Sequence, residues 1–345
     1  MGSEMCIRDR IMGIRVLKGG MMTTVQDLGR TGYQSQGFSV SGVMDVRSFK
    51  IANLLLDNPE NEAVLEFTLI GPTLEFTSET IISITGGDFR PQINGKPAKM
   101  YTAIYMHRGD ILTFGGARTG TRGYIAFSSY LDVPVVMGSR STNIKCQIGG
   151  YKGRKLEDED YIAFRAKRRY LPYYLSRSLD LDEFDQEKIT LRVVMGPQEK
   201  MFTKEGRETF LNSEYTVTSE FDRMGCRLEG PFIAYKTTSD IISDGIAFGS
   251  VQVPSHGKPI ILLADRQTTG GYAKIATVVS VDIPKLVQRK TEQKVRFQAV
   301  SVEEAQKLLA DEMKELNDFR SQIYTPCKEV LDCRLVAKRI STLFK

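Results

Sequence analysis

Short runs of alternating apolar and polar residues dominate the first half of the chain. Between Ile14 and Phe164 these runs are rich in β-branched and aromatic residues and are separated by Gly, Asn and Asp, a pattern typical of strands joined by tight turns. Asn94-Gly95 lies between two such runs and predicts a hairpin. The strands predicted in this half are Ile14–Leu17, Thr73–Phe76, Thr80–Thr85, Ile111–Phe114 and Gly123–Phe127.

Helical periodicity appears in two places. The first is Asp45–Leu56, where Phe49, Ala52, Leu55 and Leu56 share a face and Asp45 has the position of an N-cap. The second is Ser301–Phe319, where Ser301 and Glu304 have the spacing of a capping box. The apolar face predicted for the second helix consists of Ala305, Leu308, Leu309, Met313 and Leu316.

The character of the chain changes between Ala166 and Glu187, where basic, aromatic and acidic residues follow one another. This segment predicts a boundary between two halves. Strands are predicted beyond it at Thr190–Met195, Glu214–Ser219, Ile260–Ala264, Ala276–Val281 and Lys294–Ala299. We therefore expect a mainly β protein with few helices, built as barrels or sandwiches. The expected units are an N-terminal half at 12–170, a linker at 171–188, a C-terminal half at 189–300 and a helical tail at 301–345. Residues 1–11 match nothing that follows and are expected not to be native, with a start near Met12.

Composition excludes several classes of function. The net charge is +5, from 47 basic and 42 acidic residues, and no dense basic stripe suggests a nucleic acid partner. Five scattered cysteines without a CxxC pair, and two histidines, supply a metal site poorly, so no metal is expected. No run approaches the roughly 20 apolar residues of a membrane span. The expected location is the cytoplasm, with reduced thiols and no membrane partner.

Common catalytic motifs are missing, since the sequence has no Walker A loop, no GxGxxG, no HExxH and no GxSxG. Three polar clusters of the first half have a structural and a ligand-binding interpretation. Asp27 and Arg30 in Thr23–Arg30 either hold a loop together or face a ligand. Asp45 in Ser41–Asp45 is explained as a cap, although helix N-termini also attract anions. Arg140, among the hydroxyls of Gly138–Thr142, either cradles a carboxylate or phosphate or belongs to an ordinary loop.

Two further polar clusters lie in the second half. Asp222 and Arg223 lie in Asp222–Leu228, which predicts either an electrostatic clamp or a salt-bridged turn. The largest cluster combines Ser243–Ile246, Gln252–Pro254 and Asp265–Lys274. Its side chains have the chemistry to bind a urea-like or lactam group, with an Asp or a Lys moving a proton. The alternative is a polar hairpin that fills the mouth of a barrel.

Nine segments resemble one known family in the order in which they occur. They are TVQDLGR, SGVMD, NPENEAVLEFTLIGP, GSRST, GGYKGRKL, DRMGCRLEGP, SDGI, VQVP and DRQTTGGYAKIA. The chain is similar, from about Gly13 to Phe297, to the biotin-dependent carboxyltransferase family called allophanate hydrolase subunit 2. That family is also described as the antagonist of KipI or as the C subunit of 5-oxoprolinase. The resemblance implies two cyclophilin-like β-barrel halves, and the amphipathic helix predicted from Ser301 follows them.

The resemblance also implies partners. A KipI-like subunit 1 (the B subunit of 5-oxoprolinase) and a LamB/YcsF-type protein (its A subunit) would complete an ATP-dependent 5-oxoprolinase, which opens 5-oxo-L-proline to L-glutamate. ATP would then be shared with the partner subunits. One alternative is a carboxyltransferase module for urea or a related amide, with biotin on a carrier protein. Another is a regulatory protein that binds a KipI-like kinase inhibitor without chemistry.

The matched motifs carry over candidate site residues. Asp265 and Lys274 are the predicted catalytic residues on chemical grounds. The predicted substrate-binding residues are Asp27, Arg30, Asp45, Asn58, Glu66, Arg140, Asp222, Arg223, Asp244, Gln252, Pro254, Gln267, Thr268 and Thr269. Departures from the family pattern are Asp57-Asn58, Ser128-Ser129 and Glu159-Asp160, where relatives have a glycine in each pair.

Overall fold

The computed structural model describes residues 12–167, 170–181 and 184–325. Within these ranges the chain forms strands β1–β20 and helices α1–α4. Residues 1–11, which the sequence suggested are not native, lie outside the described residues, and so do residues 326–345 of the helical tail predicted at 301–345. Cys146 and Cys226, the cysteines within the described ranges, are both free thiols.

The first half consists of two antiparallel sheets that pack face to face. One has the order β11-β1-β4-β9-β6-β7 and the other the order β2-β3-β10-β5-β8. Alternate residues of both sheets meet in one apolar cluster, in which Phe67 contacts Phe89 and Phe114 at ring-centroid distances of 4.8 and 4.6 Å. The strands are β1 (Gly13–Lys18), β2 (Met22–Gln26), β3 (Val64–Thr68), β4 (Thr73–Phe76), β5 (Thr80–Gly86), β6 (Gln92–Ile93), β7 (Lys96–Pro97), β8 (Ala103–Met106), β9 (Ile111–Thr113), β10 (Arg122–Phe127) and β11 (Tyr161–Ala163).

Helix α1 (Val46–Leu55) covers the outer face of the five-stranded sheet. Its N-cap is Asp45, as predicted, and the carboxylate accepts the Ser48 N–H at 2.9 Å. Phe49 and Ala52 lie in an apolar cluster with residues of β3, β5, β8 and β10. Strands β3 and β10 are therefore buried on both faces, β10 with an apolar run from Gly123 to Phe127 and β3 with one buried carboxylate, Glu66.

The second half is a closed barrel with the strand order β12-β19-β16-β17-β14-β13-β20. Parallel pairing of β12 with β20 closes it, and every other pair is antiparallel. A two-stranded ribbon, β15 with β18, lies beside the barrel. The elements are β12 (Lys188–Met195), α2 (Lys204–Asn212), β13 (Glu214–Phe221), β14 (Gly225–Glu229), β15 (Asp240–Gly245), β16 (Ser250–Gln252), β17 (Ile260–Leu262), β18 (Thr269–Tyr272), β19 (Lys274–Val278), α3 (Ile283–Val287) and β20 (Lys294–Ala299).

Helix α4 (Val302–Ile323) returns from the barrel to the first half. The predicted capping box is present: Ser301 Oγ accepts the Glu304 N–H, and the Glu304 carboxylate accepts the Ser301 N–H. The helix continues to Ile323 rather than ending at Phe319, because Phe319 and Ile323 pack in the cluster that covers α1. Leu309 and Met313 of the predicted apolar face are 43% and 56% exposed.

The predicted mainly β class is confirmed, with a closed barrel in the second half and two packed sheets in the first. Several elements were not predicted from the pattern, among them strands β3, β8 and β11 and helices α2 and α3. Strand β2 lies where the sequence suggested only a polar cluster. No helix in the described ranges is long and apolar enough to cross a membrane.

Candidate functional site

A buried ionic cluster joins the two halves, and Arg223 is its centre. The guanidinium donates to Asp265 through Nε at 2.8 Å, to Glu66 of β3 through Nη1, and to the Gly42 carbonyl through Nη2 at 2.5 Å. The side chains of Arg223, Asp265 and Glu66 are 11%, 13% and 3% exposed. Burial alone would lower the pKa of Arg223, but the two carboxylates outweigh burial and raise it above its ordinary value. Arg223 is therefore a fixed cation that holds first-half and second-half residues together.

Sequence reasoning missed two members of the region around this cluster. Tyr124 of β10 donates its hydroxyl to Glu66 at 2.9 Å, and burial next to that carboxylate and Asp45 raises the pKa of the phenol. Gln288, which follows α3, donates to the Asp45 carboxylate at 2.9 Å and accepts the backbone N–H of Arg122 at 2.9 Å. Neither lies in a polar motif, so the sequence offers no local signal for them. Asp45 is thus a helix cap that also contacts the second half.

A second cluster forms around Asp27, at the end of β2 and its following turn. Its carboxylate accepts the hydroxyls of Ser139 and Ser141 at 2.6 Å each, and the Arg140 N–H at 2.6 Å. Arg30 donates to the Ser141 carbonyl. The structure therefore joins the first and third polar clusters of the sequence, and it favours their loop-holding interpretation, because Asp27 and Arg30 are each 1% exposed.

The loops that hold Arg223 and Asp265 also build an open cleft on the barrel. Arg223 and Asp265 face the first half, whereas their neighbours Met224 and Arg266 line the cleft. Arg223 lies in a bend and Asp265 in a turn, so the side chains of neighbouring residues leave these two loops in different directions. The ionic cluster therefore fixes the backbone from which part of the cleft wall projects.

The cleft has a volume of about 500 Å³ and a mixed lining. Two carboxamides, Gln252 of β16 and Gln267, converge on it: each Nε2 lies within 3.0 Å of the point that a Cβ on Gly270 would occupy. Gln252 is 3% exposed, whereas Gln267 is exposed to solvent. The lining residues are Ser219, Glu220, Phe221, Asp222, Met224, Gly225, Arg227, Gln252, Ile260, Leu262, Arg266, Gln267 and Tyr272.

The charged groups of the cleft differ in how they are satisfied. Arg227 pairs with Glu220 at 2.9 Å, and both side chains are largely exposed. Asp222 accepts the backbone N–H of Met224 at 2.7 Å, which is the geometry of a turn. Arg266 is 7% exposed, and burial lowers the pKa of its guanidinium. The cleft thus combines apolar walls, two carboxamides and one buried cation, a lining suited to a small polar molecule.

Lys274 is the first residue of β19, and its backbone is paired with that of Gln252 in β16. Its ammonium donates to Asp244 of β15 at 2.7 Å, and Gln198 donates to the same carboxylate oxygen at 3.2 Å. The hydrogen bond from Lys274 lowers the pKa of Asp244. The Lys274 side chain is 5% exposed and that of Asp244 is 52% exposed, so the pair ties the ribbon to the barrel.

The remaining predicted site residues occupy separate places. Asn58 donates to Asn53 at 3.0 Å and to the Phe127 carbonyl at 3.2 Å, which ties the end of α1 to β10. Pro254 is buried at the start of an exposed turn, and its carbonyl accepts the Gly257 N–H at 2.8 Å. Thr268 and Thr269 lead into β18, where the Thr268 carbonyl accepts the Ile246 N–H at 3.0 Å. Within the described ranges, no group of three or more His, Cys, Asp or Glu side chains has the geometry of a metal site.

The family model for the carboxyltransferase domain, subdomain A and B, matches residues 36–299. This chain belongs to that carboxyltransferase-domain family.

Relatives of known name fall into two groups. The chain is 33% identical over 308 residues to the C subunit of 5-oxoprolinase from Escherichia coli (strain K12), covering 87% of this chain and 96% of the relative. It is 34% identical over 295 residues to the same subunit from Haemophilus influenzae, covering 86% and 94%. Among solved structures, the Kluyveromyces lactis urea carboxylase matches with a TM-score of 0.82 and 29% identity. That match covers 90% of this chain but only 29% of the urea carboxylase chain.

Proposed function

We propose that this chain is one component of an ATP-dependent 5-oxoprolinase that hydrolyses 5-oxo-L-proline to L-glutamate. The observation that carries the proposal is the extent of the match to the 5-oxoprolinase relatives, which spans 96% and 94% of their lengths. The proposed partners are a KipI-like protein and a LamB/YcsF-type protein, and the proposed location is the cytoplasm. Both relatives are named as one subunit of their enzyme, which supports a role within a complex.

The lining of the cleft supports a lactam as the ligand. A lactam presents one N–H donor and one carbonyl acceptor, and a carboxamide offers the complementary donor and acceptor groups. Gln252 and Gln267 place two such groups beside Gly270. Water attack on an unactivated amide is slow, and ATP, when bound, supplies the phosphoryl group that makes the lactam carbonyl reactive.

The lining does not fit a nucleoside triphosphate. The sequence has no Walker A loop, and of the two arginines that line the cleft, Arg227 is already paired with Glu220. A triphosphate needs several donors and cations together. We therefore assign ATP to the partner proteins and give this chain the binding of the organic substrate.

Asp265 and Lys274 are the predicted proton-transfer residues, but each is held in an ion pair and neither lines the cleft. We propose that Asp265 acts as a positioning residue, because its carboxylate fixes Arg223 and its backbone leads directly into Arg266. Lys274 has a similar positioning role, because its ion pair with Asp244 holds the β15–β18 ribbon beside Gln252.

Reconstitution tests the proposal directly. The chain is combined with its KipI-like and LamB/YcsF-type partners, and glutamate release from 5-oxo-L-proline is measured with and without ATP. We expect release that needs ATP and all three proteins. An assembled complex that releases no glutamate would contradict the proposal.

Gly270→Ala tests whether the cleft serves this reaction. The new Cβ would lie 2.8 Å from Ile246 Cδ1 and about 3 Å from both carboxamide nitrogens, so those side chains must move. Loss of one well-placed hydrogen bond corresponds to about a tenfold loss in kcat/KM. Gly271→Ala is the matched control, because its Cβ would meet only the Ile241 carbonyl at 3.5 Å, an ordinary contact. If Gly270→Ala and Gly271→Ala had equal activities, the cleft would not be the site of this reaction.

Carboxyl transfer to urea or a related amide is the second candidate. The fold match to the Kluyveromyces lactis urea carboxylase favours it, and the two carboxamides suit a urea as well as a lactam. In this case biotin would reach the site on a carrier protein. ATP- and bicarbonate-dependent carboxylation of urea by the complex with a biotin carboxylase and carrier, without glutamate release from 5-oxoproline, would select this function.

A further inference from the structure

Arg266 is a buried cation without an ionic partner. No carboxylate of the described residues lies within 4.0 Å of its guanidinium, although the residue is only 7% exposed. Nε donates to the Ile246 carbonyl at 3.0 Å and Nη1 to the Leu263 carbonyl at 3.1 Å. Backbone carbonyls orient the guanidinium but do not neutralise it, and an unpaired buried charge is costly. This arrangement holds a positive charge ready for an anion.

The free nitrogen of this guanidinium is Nη2. It makes no hydrogen bond within the described part of the chain, and Arg266 lines the cleft that also contains the two carboxamides. The Phe248 ring, 5.6 Å from the guanidinium carbon, packs against it and restricts its movement. Ser39 of the first half donates to the Arg266 carbonyl at 2.8 Å, which fixes the backbone as well. Arg266 is therefore held in place from both halves of the molecule.

Its neighbours in the cleft lack this property. Arg227 is half exposed and already paired with Glu220, so it offers no unpaired buried charge. Arg223, on the neighbouring loop, is saturated by Glu66 and Asp265. Among the arginines of these loops, Arg266 alone, within the described ranges, combines burial with the lack of a counter-ion.

We propose that Arg266 binds the carboxylate of a small cyclic amide whose ring amide faces Gln252 and Gln267. The inference rests on the proposed function, and it assigns the specificity for an acidic rather than a neutral lactam to one residue. In 5-oxoproline the carboxylate is attached next to the ring nitrogen, so one molecule presents both groups on one side. The same carboxylate becomes the α-carboxylate of glutamate, so Arg266 would hold substrate and product alike.

The test compares two ligands that differ only in this group. Binding of 5-oxo-L-proline and of its neutral carboxamide, 5-oxo-L-prolinamide, is measured by titration calorimetry on the reconstituted complex. We expect the wild-type complex to bind the acid about 10- to 100-fold more tightly, as for loss of a hydrogen bond to a charged group. Arg266→Gln should abolish this preference by weakening the acid alone, and Arg266→Lys should retain part of it.

Arg227→Gln is the matched control, because it removes an arginine from the same cleft and leaves Arg266 in place. We expect this variant to keep the wild-type preference for the acid over the carboxamide. Comparing the acid with the carboxamide on the wild-type complex needs no variant, so this comparison tests the proposal even if Arg266→Gln does not fold. Equal binding of the two ligands, no binding of the acid, or an unchanged preference in Arg266→Gln would each overturn the proposal. Competition by inorganic phosphate at concentrations equal to those of the acid would also overturn it in favour of a phosphate site.

Failure of this inference is distinct from failure of the proposed function. A complex that prefers the acid through Arg266 but releases no glutamate retains the carboxylate subsite and refutes the 5-oxoprolinase activity. A complex that releases glutamate while Arg266→Gln leaves KM and the ligand preference unchanged retains the activity and refutes the subsite.

Discussion

Arg223→Met is expected to lower the free energy of unfolding by about 3–5 kcal/mol, the cost typical of removing one partner from a buried ion pair. The substitution keeps much of the side-chain volume but leaves the carboxylates of Glu66 and Asp265 buried without their cation. It also removes the donor to the Gly42 carbonyl. Because these partners lie on both halves, the loss should affect the whole molecule rather than the barrel alone.

Urea denaturation of wild type and variant measures this change. Arg227→Met is the control, since its pair with Glu220 is exposed and should contribute less than about 1 kcal/mol. Neutralising the carboxylates as well, in Arg223→Met with Glu66→Gln and Asp265→Asn, should recover part of the loss, because no buried charge then lacks a partner. A change in Arg223→Met as small as that of Arg227→Met would refute the structural importance of the cluster.

Asp282→Asn should cost about 3 kcal/mol for the same physical reason. Asp282 is completely buried between α3 and β12 and accepts from the Arg192 N–H at 2.8 Å, from Arg192 Nη2 at 2.5 Å and from Lys285 Nζ at 2.8 Å. An asparagine keeps the shape, but it lacks the charge and offers one acceptor oxygen in place of two. The packing of α3 on the barrel would lose its ionic anchor.

This carboxylate also predicts a dependence of stability on pH. Burial alone would raise the pKa of Asp282, but the hydrogen bonds from Arg192 and Lys285 outweigh burial and hold the pKa below its ordinary value. A depressed pKa contributes stability that is fully present above the unfolded-state value of about 3.9 and is lost as the pH falls through the folded-state pKa. Wild type should therefore lose more stability than Asp282→Asn as the pH falls below about 5, and the two curves should converge once the pH is below the folded-state pKa.

Denaturation midpoints measured over that pH range test the prediction. Asp88→Asn is a suitable control, because its ion pair with Arg118 is partly exposed and a smaller effect is expected. Parallel curves for wild type and Asp282→Asn would show that Asp282 does not titrate as the structure requires.

Local signals in the sequence predicted several elements correctly. The Ser301–Glu304 capping box and the Asp45 cap depend on residues three positions apart, and both are present. Asn94-Gly95 does form the turn of a hairpin, between β6 and β7. Strand β3 was missed although Leu65-Glu66-Phe67-Thr68 alternates between apolar and polar residues. Its polar residue Glu66 is buried because Tyr124 and Arg223, both distant in the chain, donate to it.

The sequence by itself determined the mainly β class, the two capped helices and the residue types from which the clusters are built, because turns, caps and periodicity depend on neighbours a few positions away. Only the tertiary structure decided which residues meet: Arg223 reaches Glu66 across 157 positions, and Ser139 reaches Asp27 across 112. It also decided that Arg223 is neutralised while Arg266 is not. An arginine carries its positive charge in any fold. Whether a carboxylate lies beside it depends on strand order and barrel closure, which arise from the packing of the whole chain.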